Sequence, residues 1–365
     1  MAEDREGFLY PQINKEDCID CGLCERVCPL LHVPPPCRPL AIKGAWRLNN
    51  RMRLLGSSGG LFSAIAEQII SQDGIVFGAA FDTEWNLRHI GVETSDDLIP
   101  LLGSKYLQSS SSGSFRHVAE VLAAGRQVLY CGTPCQIFAL KSFLGGNQNK
   151  LLTVDFVCHG VSNHKIWNMY LNEFLGKFGK KPSDLSKYSF RDKSASDWMH
   201  FRTSFQFKGE DRIHYITPNQ DWYMVAFRDL ALRPSCYACK FKGHRSGSDF
   251  TLGDFWGINQ LNPKSDVKDG CSVVFLNTPH ALDFWRNSEK LVNSFDASCS
   301  DVLKYNPMLL FSVRKHWNRK RFFSELTDDC SFSELVKREY YTISLSGKLY
   351  QKGIQLLRKA GIIRY

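Results

Sequence analysis

The spacing of apolar and polar positions predicts helices and strands that alternate along most of the chain. An apolar stripe at helical spacing covers residues 61–70, and the apolar run at 75–81 that follows Gly74 is typical of a buried strand. The same alternation predicts a helix around 115–122, a strand at 128–131, a helix opening after Pro134, a strand at 151–157 and a helix around 166–174. Strands that alternate with helices of this length predict an α/β core.

The remaining segments are less regular. Residues 185–217 are rich in strand-forming positions, and 271–295 predicts one strand and one helix. Near the end of the chain, an amphipathic helix is predicted by apolar positions set among lysines and arginines: Leu345, Leu349, Ile354, Leu356 and Leu357. Such a helix either packs on its own domain or makes a peripheral contact with a membrane surface.

Composition restricts the compartment and the use of the cysteines. The chain has 365 residues and 43% apolar content, without a run of about 18 apolar residues that would span a bilayer. Its charged N-terminus lacks the apolar stretch of a signal peptide. We therefore expect a cytoplasmic location, where thirteen cysteines indicate metal or redox chemistry rather than disulfides.

The formal net charge is +9, and basic residues crowd the last fifth of the chain. A basic surface of this kind can meet nucleic acid, acidic lipid or an acidic electron-transfer partner. No recognised nucleic-acid motif accompanies it, so we expect no nucleic-acid partner and favour a solvated basic face. The sequence does not decide the oligomeric state.

The strongest chemical signal is the run CIDCGLCERVCP at residues 18–29. Cys18, Cys21 and Cys24 stand two residues apart and Cys28 follows before a proline, which is the spacing of bacterial 4Fe–4S ferredoxins. A structural zinc site is the alternative, but zinc sites more often use two separated pairs. In two-cluster ferredoxins the fourth cysteine ligates the other cluster, so either Cys28 closes this cluster or Cys37 replaces it.

A second set of cysteines is scattered. Cys131 and Cys135 flank a predicted strand-to-helix turn, Cys158 follows the next strand, and Cys236 and Cys239 form a CxxC pair. A thiolate at a helix N-terminus is stabilised by backbone N–H groups, so Cys135 suits a cluster ligand or a nucleophile. Spacing alone leaves a second metal site and inert packing equally open.

Several segments together resemble the coenzyme F420 hydrogenase/dehydrogenase beta-subunit family. Besides the ferredoxin run they are SSGGLF (57–62), VFGAAFD (76–82), GSKYLQS (103–109), CGTPCQ (131–136), DFVCHG (155–160), SFRDK (189–193), RPSCYACKF (233–241) and LGDFWG (252–257). The resemblance covers roughly residues 8 to 295. Family members with an N-terminal ferredoxin segment often have two cysteine runs, and this chain starts just before what resembles the second one.

The resemblance implies FAD and one or two 4Fe–4S clusters. The implied ligands of the first cluster are Cys18, Cys21, Cys24 and Cys28, and those of the second are Cys135, Cys158, Cys236 and Cys239, with Cys131 as a substitute. The expected flavin-binding residues are Ser57, Ser58, Gly59, Gly60, Gly103, Ser104, Lys105, Gly132, Thr133 and Pro134. Backbone N–H groups at a helix start can hold the pyrophosphate.

Two expected site features keep an alternative. Read alone, residues 57–60 are a plain helix cap, and Lys105 is a surface lysine. We name His159 and Lys105 as the candidate catalytic residues, with Arg191, Asp192 and Asp254 as further polar groups near the flavin. Each of these side chains could instead serve as a structural hydrogen-bonding group.

The resemblance therefore implies an iron–sulfur flavoprotein oxidoreductase. It would take electrons from a redox partner protein, either a ferredoxin or a catalytic subunit, and reduce a small two-electron acceptor, with surface polysaccharide biosynthesis as the preferred setting. The alternatives are an electron relay without a substrate site of its own and a zinc-stabilised interaction protein. The expected architecture is a ferredoxin-type segment at 1–45, an α/β (α+β) main domain with a mixed sheet at 50–295, and a basic helical segment at 296–365.

Overall fold

The structure is a computed structural model that describes residues 1–146, 148–217, 221–262, 267–327, 329–341, 352–353 and 356. Its strands are β1 Ala2–Glu3, β2 Leu9–Tyr10, β3 Ala41–Arg47, β4 Ile75–Phe81, β5 Leu87–Val92, β6 Val128–Cys131, β7 Leu151–Phe156, β8 Leu185–Asp192, β9 Arg202–Phe207, β10 His214–Ile216, β11 Phe250–Asp254, β12 Ser272–Leu276 and β13 Val292–Asp296. Its helices are α1 Leu23–Arg26, α2 Asn50–Leu55, α3 Leu61–Ile70, α4 Ser114–Ala123, α5 Pro134–Phe143, α6 His164–Gly176, α7 Asp221–Phe227, α8 Ile258–Leu261, α9 Pro279–Ser288, α10 Cys299–Tyr305, α11 Arg319–Glu325 and α12 Phe332–Tyr341.

The main sheet has eight strands in the order β13-β3-β12-β11-β7-β6-β4-β5. Strands β4, β6, β7 and β11 run parallel to one another, whereas the pairs at both flanks are antiparallel. This mixed sheet with helices on its faces confirms the predicted α/β class. The parallel centre follows from the predicted alternation, because each crossover between parallel strands requires a helix-length connection.

Alternate residues of the central strands face two separate cores. In β4, Val76 packs into the core that contains α3 and α9, and Phe77 packs into the core that contains α4 and α5. In β6, Leu129 and Tyr130 divide between the same two cores. Side chains alternate across a strand, so both faces of the centre are covered and β4 and β6 are almost entirely apolar.

A smaller antiparallel sheet of β8, β9 and β10 forms a second layer. Its inward side chains share an aromatic core with α6, α7 and α12, in which Trp167 and Trp222 lie with ring centroids 5.0 Å apart. The predicted strand-rich stretch 185–217 corresponds to this sheet. The stretch 271–295 holds two strands and a helix instead of one of each, because β13 returns to pair with β3.

The N-terminal segment is fastened to the main domain. Glu6 forms a salt bridge with the buried Arg319 of α11, and the amide of Asn163 donates to the Glu6 carbonyl over 2.7 Å. The segment around Pro34 is held by Arg245, whose Nη1 donates to the Pro34 carbonyl over 2.8 Å. Strand β3 already belongs to the main sheet, and the domain boundaries given above stay a prediction.

Part of the basic C-terminal region is neutralised within the chain. Arg321 and Arg338 both pair with Glu325 and with the fully buried Glu339. Of the residues that predicted an amphipathic helix, Leu356 is exposed, and the others lie outside the described residues. No helix in the described part of the chain is long and apolar enough to cross a membrane.

Lys193 fixes the loop before α3. It is almost completely buried, and its ammonium donates to the carbonyls of Arg53, Ser58 and Asp269 over 2.6–2.8 Å. Burial, with the neighbouring Arg191 and Arg53 charges, lowers the pKa of Lys193 to about 7. In the same loop, position 59 must be glycine, because a Cβ added to Gly59 would lie 2.5 Å from the Ala45 carbonyl oxygen.

We predict that Lys193→Met destabilises the fold by about 2 kcal/mol, because three buried carbonyls lose their shared donor. Hydrogen exchange in residues 56–60 should accelerate. Lys187→Met, at an exposed position on β8, the strand that ends directly before Lys193, is the matched control. Unchanged exchange in 56–60 in the Lys193 variant would contradict the assigned role of this lysine.

Candidate functional site

Two neighbouring cavities open at the carboxyl ends of the central parallel strands. The larger has a volume of about 610 Å³ and the smaller about 210 Å³. The segments 131–133 after β6 and 157–161 after β7 contribute to their walls. Ligands bind in open α/β sheets at this edge, where loops replace strands and backbone groups become available.

Part of the wall of the larger cavity is built from serine- and glycine-rich loops. Ser57, Ser58 and Gly60 line it together with Gly103 and Ser104. The two loops are joined directly, because the Ser104 N–H donates to the Ser57 hydroxyl over 2.5 Å. The sequence analysis assigned these two loops to one site, and the fold brings them into contact.

Ser57 and Ser58 do not cap α3, in contrast to the helix-cap alternative given above for residues 57–60. The N-cap residue is Gly60 at φ 79°, and no side-chain capping hydrogen bond is formed there. Ser58 Oγ instead donates to the Cys271 carbonyl over 2.8 Å, and Gly59 N–H donates to Ser272 Oγ over 2.9 Å. The serines hold the loop in place, and the start of α3 borders the cavity without a side-chain cap.

Lys105 is a half-buried residue of the larger cavity rather than a surface lysine. Its ammonium donates to the carbonyls of Pro100 and Leu102 over 2.8 and 2.9 Å. Burial lowers the pKa of Lys105 to about 7, while a nearby Cys131 acts in the opposite direction. Its positive charge is therefore present below neutral pH and is lost as the pH rises through this value.

His89 is a residue of this cavity that the sequence analysis missed. Its Nε2–H donates to the Cys131 carbonyl over 2.9 Å, its Nδ1 accepts from Ser109 Oγ over 3.0 Å, and its ring stacks on Tyr130. Burial lowers the pKa of His89 to about 4, so the ring is neutral. The inward position of His89 on β5, two residues after the buried Leu87, was the signal available in the sequence.

The wall of the larger cavity also contains aromatic side chains and a buried ion pair. Arg191 Nη1 and Nη2 donate to the two carboxylate oxygens of Asp254 over 2.6 and 3.3 Å. The guanidinium lies 4.5 Å from the Phe201 ring centroid and 5.7 Å from that of Trp256. Burial by itself would lower the pKa of Arg191, but the Asp254 charge raises it, so this guanidinium stays charged.

Four thiols line the smaller cavity: Cys135, Cys158, Cys236 and Cys239. Burial raises the pKa of Cys158 well above its ordinary value, and repulsion from the other three thiols raises it further. Burial likewise raises the pKa of Cys236 to about 11, with added repulsion from Cys135 and Cys239. The structure thus brings together the four cysteines that the resemblance selected.

Cys131 lies apart from this group. It lines the larger cavity near Lys105 and Asp155, and burial raises the pKa of its thiol to about 12, with a further contribution from Asp155. The carboxyl of Asp155 borders both cavities, and burial raises its pKa to about 6. Cys131, the substitute ligand named from the sequence, therefore lies in the larger cavity and not among the four thiols of the smaller one.

The start of α5 presents Cys135 to the smaller cavity. Thr133 and Gln136 form a reciprocal capping box, in which the Gln136 carboxamide accepts from the Thr133 N–H over 3.0 Å. Thr133 Oγ1 lies 3.1 Å from Cys135 Sγ. Gly132 and Thr133 line the larger cavity, and Pro134, predicted to bind the flavin, lines the smaller one.

The two cavities share a wall that includes residues 155–161. Within it, His159 Nε2 lies 2.7 Å from Asp229 Oδ1, and its ring packs against Phe227. The N-terminal segment meets the opposite side of the smaller cavity through Pro29 and Leu30, directly after Cys28. Lys240 Nζ holds this point by donating to the Leu30 carbonyl over 3.0 Å.

The cysteines of the ferredoxin run lie at the surface. Cys18, Cys21 and Cys24 are exposed and Cys28 is half-buried. The backbone turns tightly between them, with Asp20 at φ 53° and Gly22 at φ 66°. Across the described residues, no three His, Cys, Asp or Glu side chains converge in the manner required for a single metal ion.

Comparisons with known proteins agree with the resemblance inferred from the sequence. Residues 125–293 match the family model for the carboxyl terminus of the coenzyme F420 hydrogenase/dehydrogenase beta subunit, and residues 11–30 match the 4Fe-4S binding domain. A solved structure from a xenon derivatization of the F420-reducing [NiFe] hydrogenase complex of Methanosarcina barkeri is similar at 13% identity, covering 91% of this chain and 97% of that chain, with a TM-score of 0.49. No curated protein matches this chain significantly.

Both family-model matches bear out the predicted resemblance. Residues 11–30 resemble a 4Fe–4S binding domain, and residues 125–293 resemble the C-terminal part of coenzyme F420 hydrogenase/dehydrogenase beta subunits.

We predict that Cys135→Ser lowers the iron content of anaerobically purified protein to about half, because one of the two expected four-iron clusters loses a ligand. Cys131→Ser is the informative comparison, since its thiol lies in the other cavity and its loss should leave iron unchanged. Cys299→Ser, an exposed position in α10, controls for the general effect of removing a thiol. Full iron in the Cys135 variant, or iron loss in the Cys131 variant, would contradict the assignment.

Proposed function

We propose that this chain is an iron–sulfur flavoprotein that passes electrons from a protein partner through two 4Fe–4S clusters to FAD. The N-terminal cluster would be held by Cys18, Cys21, Cys24 and Cys28, and the second by Cys135, Cys158, Cys236 and Cys239. The observation that carries the proposal is the wall shared by a four-thiol cavity and a larger cavity lined by serine- and glycine-rich loops.

The donor set of the smaller cavity fits a cluster better than a zinc ion. Four thiols from three separate segments surround one cavity, and they influence one another electrostatically. A structural zinc ion needs its ligands within about 2.3 Å of a single point. A 4Fe–4S cluster takes one thiolate at each of four irons, so its ligands surround a volume, as these four thiols do.

The residues of the larger cavity fit a dinucleotide flavin. A volume of about 610 Å³ lies in the range of small-molecule sites. Ser57, Ser58, Gly60 and Lys105 would hold the pyrophosphate, through backbone N–H groups and one positive charge. When bound, the flavin would take electrons singly from the cluster and deliver them in pairs.

The chain's own groups supply charge and a proton at this site. Lys105 contributes a positive charge that titrates near neutral pH. His159 borders both cavities, and its Nε2 is engaged by Asp229, which leaves Nδ1 as the ring nitrogen that can exchange a proton. We propose His159 and Lys105 as the catalytic residues on this basis.

The partners follow from the same arrangement. A reduced ferredoxin or a catalytic subunit would dock at the exposed cysteines 18–24, and a small molecule would accept two electrons from the flavin. We keep surface polysaccharide biosynthesis in the reducing cytoplasm as the proposed setting, on the strength of the family resemblance.

Anaerobic purification tests the proposal directly. We expect brown protein that contains iron, sulfide and FAD, with an absorbance spectrum that bleaches on reduction. Colourless protein that contains zinc would support the interaction-protein alternative. Mixing the reduced protein with candidate acceptors then separates an enzyme from a relay, because a relay reoxidises with a protein partner and with none of the small molecules.

Lys105 gives the flavin site a predicted pH dependence. Its charge favours a bound pyrophosphate below pH 7 and is lost as the pH rises, so the affinity for FAD should fall by about tenfold between pH 6 and pH 9. In Lys105→Met the affinity at pH 6 should drop to near the pH 9 value and stay flat. An affinity, measured by flavin fluorescence, that falls equally with pH in both proteins would assign the effect to another group.

A further inference from the structure

Thr133 lines both cavities and is the N-cap residue of α5. Its hydroxyl oxygen lies 3.1 Å from Cys135 Sγ and 3.0 Å from Gln136 Oε1. A hydroxyl carries one proton, so it can donate fully to only one of these two acceptors at a time. The choice between them decides whether the Cys135 sulfur receives a hydrogen bond from this side chain.

The Gln136 carboxamide is held with its oxygen toward Thr133. Its Nε2 lies 3.0 Å from Ser109 Oγ, 3.1 Å from Ser111 Oγ and 3.2 Å from the Ser109 carbonyl oxygen. A carbonyl oxygen can only accept, so the amide nitrogen belongs on that side and the amide oxygen on the other. Gln136 Oε1 also accepts the Thr133 backbone N–H over 3.0 Å, and it keeps this partner when the Thr133 hydroxyl turns away.

The charge of the Cys135 sulfur determines which acceptor the hydroxyl prefers. A cysteine that ligates a cluster is a thiolate, and a hydrogen bond to an ionised acceptor is roughly twice as strong as one between neutral groups. Gln136 Oε1 is neutral and already has a donor. The Thr133 hydroxyl therefore donates to Cys135 Sγ once that sulfur is a thiolate.

The other three thiols of the smaller cavity differ from Cys135 in this respect. Within the part of the chain that the structure describes, no side-chain donor is hydrogen-bonded to the sulfur of Cys158, Cys236 or Cys239. Thr133 is thus the side chain whose removal would change the hydrogen bonding of this set of sulfurs.

Resting on the proposed cluster of the smaller cavity, we propose that the Thr133 hydroxyl donates to Cys135 Sγ and thereby raises the reduction potential of that cluster. Hydrogen bonds to the sulfurs are one of the factors that set such potentials. Reduction adds one electron and no atom, so the ligand sulfurs become more negative and the donated hydrogen bond becomes stronger. The reduced form is stabilised more than the oxidised form, and Thr133 favours electron entry at this point.

The test is a redox titration of the full chain, followed by electron paramagnetic resonance of the reduced clusters. Thr133→Val should shift the one-electron equilibrium of the second cluster toward the oxidised form by about threefold to tenfold, which is ~30–60 mV. Thr133→Ser keeps the hydroxyl and should keep the potential. The cluster proposed at residues 18–28 is the internal reference, and its potential should stay the same in every variant.

Because Thr133 also begins α5, two further variants separate the hydrogen bond from the helix start. Gln136→Leu breaks the capping box and keeps the Thr133 hydroxyl, so its potential should equal that of the unchanged chain. Thr133→Gly removes the hydroxyl, and glycine is well tolerated at an N-cap. It should lower the potential as Thr133→Val does.

Two results would overturn the proposal. An unchanged potential in both Thr133→Val and Thr133→Gly would mean that water replaces the hydroxyl at the exposed Cys135. An equal shift in Gln136→Leu would assign the effect to the helix start. Iron content separates this inference from the proposed function: an unchanged chain without a second cluster refutes both, whereas full iron with an unchanged potential in the Thr133 variants refutes only the role of Thr133.

Discussion

The structure depends on holding four thiols around one cavity. Burial and mutual repulsion raise the pKa values of Cys135, Cys158 and Cys236, so these thiols resist ionisation in the absence of a compensating positive charge. The proposed iron–sulfur cluster would supply that charge, because it binds thiolates. The central parallel strands provide the rigid frame that brings the three cysteine-bearing segments together.

That frame explains why the two cavities are neighbours. The strand β7 ends at the segment 157–161, which carries Cys158 and His159 and forms part of both cavity walls. On one side, Pro29 and Leu30 extend the ferredoxin run to the four-thiol cavity, and Lys240 and Arg245 fasten this extension. On the other side, the loops fixed by Lys193 and the ion pair of Arg191 shape the larger cavity.

The positions and contacts of several residues differ from what their sequence context alone indicates. Lys105 has the same sequence context as a surface lysine, but its ammonium lies against two backbone carbonyls inside a cavity, and burial lowers its pKa to about 7. The serines at 57 and 58 have the composition of a helix cap, yet they bond to Ser104 and to the Cys271 carbonyl. The spacing of Cys131 made it a candidate cluster ligand, but in the structure Cys131 lines the larger cavity.

The sequence by itself determined the local and covalently spaced features: the ferredoxin run at Cys18–Cys28, the CxxC pair at Cys236 and Cys239, and the alternation that predicted the α/β core. Such features depend only on residues a few positions apart in the chain, so motif spacing and apolar periodicity are enough to predict them. Only the tertiary structure decided which distant groups meet. It gathered the scattered cysteines, separated Cys131 from them, buried His89 and locked Arg191 between Asp254 and aromatic rings. These contacts join residues that lie far apart in the chain, and burial and electrostatic coupling arise only when the chain has folded.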